Sequence, residues 1–187
     1  MHQVHFTPLV GLFHRRYLLP AVAILHADRG AKFVTLVNRL GASREAVSAT
    51  LKVMIDMGIA MRNPGYGHPM RPEYRLTAIG EELGEESVAL LETVRDTGLS
   101  PVLAKKWAMP VTAAIGHGAT RFSHLEDRLG DITPRALTGA LRELDRCEVV
   151  VREISTGWPP RPSYVLSVSG TALMPSLDRL GTLAARL

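Results

Sequence analysis

Aromatic residues make up only 5% of this sequence, cysteine occurs once, and long uncharged apolar runs are missing. So few aromatic residues argue against a stacking platform for single-stranded nucleic acid. The single cysteine, Cys147, excludes an internal disulfide framework and is typical of a reducing compartment. The longest uncharged apolar run near the N-terminus, Tyr17 to Leu25, contains Pro20 and is far shorter than the roughly 20 residues of a membrane helix. Because the N-terminus also lacks the pattern of a secretion signal, we expect a cytoplasmic protein without a membrane span.

Motifs for catalysis are absent as well. The sequence has no phosphate-cradling glycine loop, no metalloprotease helix and no nucleophile elbow. The paired glutamates at 81–82 and 85–86 fall in the first turns of a predicted helix, where the helix dipole favours acidic residues. His2 and His5 lack nearby thiols and make a poor metal site. We therefore predict no enzyme activity, no cofactor and no metal.

An internal repeat dominates the sequence. Shifting the chain by 90 positions pairs Arg71–Thr77 with Arg161–Ser167, residue type for residue type at most positions. The same shift pairs Arg15-Arg16-Tyr17 with Lys105-Lys106-Trp107, Pro20 with Pro110, Leu51 with Leu141, Arg62 with Arg152 and Gly80 with Gly170. The segments beginning at Phe33 and Phe122 pair at a spacing of 89, which predicts a turn of changed length. The repeat predicts a tandem duplication with domains at 1–98 and 99–187.

Each repeat has the same predicted order of elements. Apolar spacing predicts a long first helix, and Gly41 and Gly130 close a short second helix. Ser43 and Thr133 are predicted N-caps of a third helix, and extended apolar segments with proline-rich tips then predict a hairpin before a closing helix. The predicted helices are 10–28 and 101–116, 33–40 and 122–129, 43–57 and 133–147, and 78–96 and 169–186. The order is that of a winged helix, which makes the fold class α+β and mostly helical.

The predicted third helices have one apolar stripe each, at helical spacing. The inward residues are Val47, Leu51, Met54 and Ile55 in the first repeat, and Leu137, Leu141 and Leu144 in the second. The opposite faces are left for solvent or for a partner.

These features resemble the HxlR-type winged-helix regulators, which are related to the MarR type. In the second repeat the resemblance rests on Lys106-Trp107, Arg121-Phe122, Ile132-Thr133-Pro134, Leu141-Arg142-Glu143-Leu144, the wing from Pro159 to Tyr164, and Gly170. The first repeat keeps Phe33, the Ser43 helix, Gly58-Ile59 and the return strand from Arg71 to Thr77, less closely. The resemblance implies binding of duplex DNA by an intramolecular pseudo-dimer, since family members usually carry one such domain per chain and dimerise.

In a winged helix the third helix enters the major groove, so its outer face should carry cationic and hydrogen-bonding groups. Wing arginines can meet phosphates or the minor groove. The candidate DNA-binding residues are Ser43, Arg44, Ser48, Lys52, Arg62 and Arg71 in the first repeat, and Thr133, Arg135, Thr138, Arg142 and Arg161 in the second. An ordinary solvated helix face is the alternative interpretation, and Arg71 and Arg161, which precede prolines, also suit a structural role.

The charge is unevenly distributed. The first head, defined as residues 29–75, has eight basic and three acidic residues, a net charge of +5, whereas residues 76–98 have a net charge of −5. The second head, residues 119–165, has seven arginines and seven acidic residues. A basic head suits a DNA-binding regulator, whereas the neutral head keeps open a tandem winged-helix module that binds protein or organises chromosomes. A small-molecule effector bound in a pocket among the long apolar helices would modify the DNA-binding hypothesis without replacing it, and further dimerisation of the chain is left open.

Overall fold

The computed structural model describes residues 6–63, 73–99, 105–154 and 161–187. The first unit contains α1 (Phe6–Phe13), α2 (Leu18–Ala27), β1 (Ala31–Lys32), α3 (Phe33–Leu40), α4 (Arg44–Asp56), β2 (Ala60–Asn63), β3 (Glu73–Leu76) and α5 (Ala78–Asp96). The second unit contains α6 (Ala108–Gly116), α7 (Phe122–Leu129), α8 (Pro134–Arg146), β4 (Val150–Ile154), β5 (Pro162–Leu166) and α9 (Val168–Ala184). The mostly helical α+β class is therefore confirmed.

After α1, both units have the same order of elements: two helices, a turn, a third helix, a hairpin and a closing helix. This is the order that the repeat predicts, while the duplication itself stays a prediction. Within the described ranges, the helices lack the combined length and hydropathy that crossing a bilayer requires.

The helix boundaries follow from local chemistry. The Ser43 and Thr133 hydroxyl oxygens accept hydrogen bonds from the backbone N–H groups of Ala46 and Ala136, both at 3.2 Å, as N-caps do. Gly41 ends α3 with φ 56° and ψ 35°, a left-handed conformation that glycine adopts without strain. The connection from α7 to α8 is one residue longer than that from α3 to α4, which accounts for the shift in spacing from 89 to 90.

The predicted first helix at 10–28 was wrong as a single element. The structure has two helices, α1 and α2, separated by residues 14–17. Pro20 is the third residue of α2, and Pro110 is the third residue of α6. A proline is tolerated there because first-turn N–H groups have no partner within the helix. The chain thus turns ahead of the proline instead of kinking at it.

The first sheet has a strand that sequence analysis missed. The order is β1-β3-β2, all antiparallel, and β1 pairs Ala31 with Tyr74. Two residues are too few to show a period-two pattern. The second sheet pairs β4 with β5, and at the position of β1 the Tyr164 N–H donates to the Thr120 carbonyl at 2.8 Å. The hairpin registers match, because Arg62 faces Tyr74 and Arg152 faces Tyr164.

The cores of the two units contain equivalent residues and merge into one cluster. The fully buried side chains include Leu36, Met54 and Leu83 in the first unit, and Leu125, Leu144 and Leu173 in the second. One predicted inward residue was wrong, because Ile55 is 39% exposed. It lies near the end of α4 beside Met54, which is fully buried, and points away from the core. The second unit has no apolar residue at the equivalent position, Asp145.

Each closing helix begins with the same capping contact. The Thr77 hydroxyl accepts from the Gly80 N–H at 3.2 Å and donates to the Gly58 carbonyl at 2.6 Å. Ser167 makes the equivalent bonds, to the Gly170 N–H at 3.1 Å and the Glu148 carbonyl at 2.6 Å. The capping residues therefore fasten the closing helix to the end of the helix-turn-helix segment. The predicted return strands had included Thr77 and Ser167, which are caps instead.

The two units meet along their closing helices, where α5 packs against α9. The Arg186 guanidinium donates two hydrogen bonds to the Glu82 carboxylate, at 2.6 and 3.0 Å. Arg179 donates to the buried Glu86 at 3.0 Å. Helix α1 packs against α6, α7 and α9, so a helix predicted to belong to the first domain lies on the second unit.

Candidate nucleic-acid interface

Helix α4 has one face anchored in the core and one face in solvent. Val47, Leu51 and Met54 are at most 2% exposed, which fixes the rotation of the helix about its axis. Arg44, Ser48 and Lys52 are then all exposed, four residues apart along one stripe. The structure therefore brings these three candidate residues together on one exposed helix face, of the kind that can enter a DNA major groove.

Intramolecular contacts hold the cations on this face in different ways. The Arg44 guanidinium lies over the Phe33 ring, 5.1 Å from its centroid. The Lys52 ammonium lies 2.9 Å from the Asp56 carboxylate in an exposed pair one helical turn away. Exposed pairs of this kind contribute little, about 0–1 kcal/mol, so Asp56 is a weak competitor for Lys52. Arg44 is the better oriented of the two, because an aromatic face limits its side-chain conformations.

The predicted site residue Ser43 is already engaged at the start of α4. Its oxygen caps the helix, and it also hydrogen-bonds the Glu45 carboxylate. The backbone N–H of Glu45 and this Ser43 hydrogen bond hold the pKa of the Glu45 carboxyl below its usual value. The charged carboxylate at this helix end tempers the positive potential beside Arg44, so the candidate surface is most basic from Arg44 toward Lys52.

The second recognition-type helix, α8, has a similar face with different neighbours. Arg135 and Arg142 are exposed and lack a hydrogen bond or ion pair to any other described residue. Thr138 is half-buried, and its hydroxyl donates to the Pro134 carbonyl at 2.8 Å. Thr133 is occupied as the N-cap. The two arginines are therefore the groups on α8 best suited to an anionic partner.

The C-terminal end of α8 is internally paired. The Arg146 guanidinium lies 2.7 Å from the Glu143 carboxylate. The hydrogen bond from Arg146 holds the pKa of Glu143 below its usual value, helped by the positive charge of Lys105. Glu143 therefore remains an anion in the middle of the second head and offsets part of its positive charge.

The hairpins carry the remaining candidates. Arg62 is exposed on β2, and Arg161 is exposed immediately before β5. Arg75, on β3, is exposed as well, in register with Met61. Arg71 and both wing tips lie outside the described residues. The bases of the wings thus present cations beside the recognition-type helices, as a phosphate contact would need.

Sequence analysis did not select a basic turn at the start of α2 and α6. Arg16 lies over the Tyr17 ring at 5.2 Å, and Lys106 lies over the Trp107 ring at 4.7 Å. The turn in the second unit is near α8, since the Lys105 charge acts on Glu143. The signal was present in the repeat, where basic pairs precede an aromatic residue in both copies. Across the described ranges, acidic, histidine and cysteine side chains form no cluster able to hold a metal ion.

Comparison with known proteins gives a consistent result. Residues 102–187 match the family described as HxlR-like helix-turn-helix. The chain is 39% identical over 75 residues to an uncharacterized HTH-type transcriptional regulator of Methanothermobacter thermautotrophicus, covering 40% of this chain and 57% of that protein. Over 79 residues, 42% of this chain, it is 33% identical to YvaP and 35% identical to YtcD, two uncharacterized HTH-type transcriptional regulators of Bacillus subtilis.

The matched segment covers 73% of YvaP and 63% of YtcD, so the chain spans between 57% and 73% of the length of these three relatives. The relatives are regulators by name, in agreement with the prediction that the protein is not an enzyme.

Proposed function

Because the chain belongs to the HxlR-like helix-turn-helix family, we propose that it is a cytoplasmic transcriptional regulator that binds duplex DNA. The observation that carries the proposal is the exposed stripe of Arg44, Ser48 and Lys52 on a helix whose opposite face is fixed in the core. The first head around this stripe has a net charge of +5, while the segment that contains α5 has a net charge of −5. Such a separation directs a polyanion to one side of the molecule.

In this proposal α4 enters the major groove, where arginine and lysine side chains can read base edges. Arg62 and Arg75, at the base of the wing, contact phosphates, which fix the position of the protein without specifying sequence. Helix α8 with Arg135 and Arg142 addresses a second segment of DNA. If the units arose by tandem duplication and are related by a pseudo-twofold axis, helices about 34 Å apart would fit successive major grooves.

Titration of labelled duplex fragments, random and genomic, at low and moderate salt tests this proposal by fluorescence anisotropy. Affinity should fall steeply with salt, because each neutralised phosphate adds about −0.9 to the slope of log K against log salt. The double variant Arg44→Ala with Lys52→Ala should bind about tenfold more weakly. Arg186→Ala serves as the control for charge, since it removes a cation from the end of the chain after α9 and leaves α4, the hairpins and their arginines intact. Unchanged binding by the double variant, or no duplex binding at low salt, would contradict the proposal.

The electrically neutral second head favours one other function, a tandem winged-helix module that binds protein. Seven arginines are balanced there by seven acidic residues, and Glu143 and Arg146 form an ion pair in the last turn of α8. Such a module would bind a protein partner with little dependence on salt and would not bind random duplex. The same titration therefore separates the two functions.

A further inference from the structure

A cleft of about 580 Å³ lies in the first unit between α2, α3 and α5. Its walls include the half-buried side chains of Ile24, Leu40, Val88 and Leu91. Three arginines, Arg16, Arg39 and Arg95, also line it, against the single carboxylate of Glu92. The volume is within the range of about 300–1,000 Å³ that is typical of small-molecule sites, as is the mixture of apolar walls and a few charged groups.

The equivalent helices of the second unit are covered by another helix. There, α1 packs against α6, α7 and α9, the helices equivalent to the three that form the cleft. On α6, Pro110 and Ala114 are buried, whereas Pro20 and Ile24 at the equivalent positions of α2 are only partly buried. The second unit therefore differs from the first at the position of the cleft, because α1 covers the equivalent helices there.

A polar bridge also crosses the second unit where the first has apolar cleft walls. His117 Nε2 lies 2.8 Å from the Asp178 carboxylate and joins α6 to α9. The positions shifted by 90 residues are Ala27 and Val88, which both line the cleft. Neither side chain can form such a bridge, so small and apolar residues keep the first cleft accessible between the helices.

The arginines of the cleft can exchange their present partners for a ligand at small cost. Arg39 pairs with Asp28, Arg95 Nε is 3.3 Å from the Asp96 carboxylate, and Arg16 lies over the Tyr17 ring. These pairs are exposed, and exposed ion pairs contribute only about 0–1 kcal/mol. A ligand carboxylate or sulfonate could therefore replace Asp28 or Asp96 while its apolar part covers the cleft walls.

We propose that this cleft binds a small organic anion with an apolar body, such as an aliphatic or aromatic carboxylate. Arg39 and Leu40 are the last two residues of α3, and only Gly41 and Ala42 separate them from Ser43, the N-cap of α4. A ligand held by α2, α3 and α5 therefore acts on the helix-turn-helix segment directly. The regulatory consequence rests on the proposed DNA binding, whereas binding of the anion does not.

The test uses the full chain and two probes, the fluorescent aromatic sulfonate 1-anilinonaphthalene-8-sulfonate and decanoate as its competitor. Decanoate should displace the sulfonate, and decanol, which lacks the charge, should do so at least tenfold less effectively. The variant Ala27→His with Val88→Asp introduces the bridge of the second unit and should weaken sulfonate binding at least tenfold. Arg95→Ala should weaken it severalfold, whereas Arg121→Ala, an exposed arginine outside the cleft, should leave it unchanged.

Three results would overturn the proposal: no sulfonate binding at millimolar concentration, equal binding by the bridged variant, or equal displacement by decanol. Thermal unfolding of each variant identifies any loss of fold, and Arg95→Ala, which alters only an exposed side chain, decides the question if the bridged variant does not fold. Duplex binding with and without decanoate then measures regulation. Anion binding without any duplex binding would refute the proposed function and leave the site standing.

Discussion

The two units share their hairpin registers and the capping hydrogen bonds of their closing helices, yet they differ in surface charge and in what covers their helices. Their hairpin registers, capping hydroxyls and close-packed glycines coincide at a shift of 90 residues. The first head is basic and the first unit has an open cleft, whereas the second head is neutral and helices of the second unit are covered by α1. Packing therefore accounts for the matching core positions, and it does not constrain the surfaces, where the two units differ.

The largest expected effect tests whether the two units are equivalent at their tightest contact. A Cβ atom on Gly80 would overlap the Ile59 carbonyl oxygen, and one on Gly170 would overlap the Val149 carbonyl oxygen. Alanine is favoured over glycine within a helix by about 1 kcal/mol, but backbone atoms cannot move aside easily. We expect Gly80→Ala and Gly170→Ala each to lower the free energy of unfolding by about 3 kcal/mol, as measured by denaturant titration. A marked inequality would show that the two capping contacts are not equivalent.

The next effect sharpens the comparison at the crossing of the first core helix with the closing helix. In the first unit the large residue, His26, is on α2 and faces Gly84; in the second the large residue, Met174, is on α9 and faces Gly116. A Cβ on Gly84 would lie 2.5 Å from the His26 Cβ, which the backbone holds in place. A Cβ on Gly116 would instead meet the mobile end of the Met174 side chain.

We therefore expect Gly84→Ala to destabilise the protein by about 2 kcal/mol and Gly116→Ala by less than about 1 kcal/mol. In a background of His26→Gly the cost of Gly84→Ala should largely disappear, and a double-mutant cycle measures that coupling. Additive effects of the two substitutions would mean that the crossing tolerates both side chains.

Sequence analysis predicted the short helices of both units well because their ends are chemically marked. Gly41 and Gly130 follow α3 and α7, and Ser43 and Thr133 cap α4 and α8, so each boundary depends on one local residue. The break at 14–17 was missed although His14, Arg15 and Arg16 interrupt the apolar spacing there. The two-residue strand β1 was missed because it is too short to show a pattern. Capping residues therefore predicted where the short helices begin and end, but they did not reveal the break between α1 and α2.

Contacts between distant segments could not be predicted in the same way. The docking of α1 on the second unit and the cleft between α2, α3 and α5 depend on how elements pack, which periodicity does not encode. The exposed stripe on α4 was predictable, because burial of Val47, Leu51 and Met54 orients the opposite face. The engagement of Thr138 with the Pro134 carbonyl was not, since a threonine in a helix can also point outward.

A smaller effect concerns how the two heads share DNA binding. We expect Arg44→Ala with Lys52→Ala to weaken duplex binding about tenfold, which corresponds to about 1.4 kcal/mol. Arg135→Ala with Arg142→Ala should weaken it about threefold, because the acidic residues of the second head already reduce the local potential. Anisotropy titrations at one salt concentration compare the two variants. Equal losses would show that both heads contribute equally to duplex binding despite their different charge.

The smallest effect lies at the seam between the units, where Glu82 accepts two hydrogen bonds from Arg186. These bonds hold the pKa of the Glu82 carboxyl below its usual value. A carboxyl with a lowered pKa in the folded state adds stability above its unfolded pKa, near 4.3, and that contribution is lost as the pH falls through the folded pKa. Glu82→Gln should therefore reduce stability slightly at pH 7 and leave it nearly unchanged in strong acid, as followed by denaturant titration across pH. A constant difference between the two proteins at all pH values would mean that the glutamine disturbs packing of α5 against α9, and that the ion pair itself contributes nothing to holding the units together.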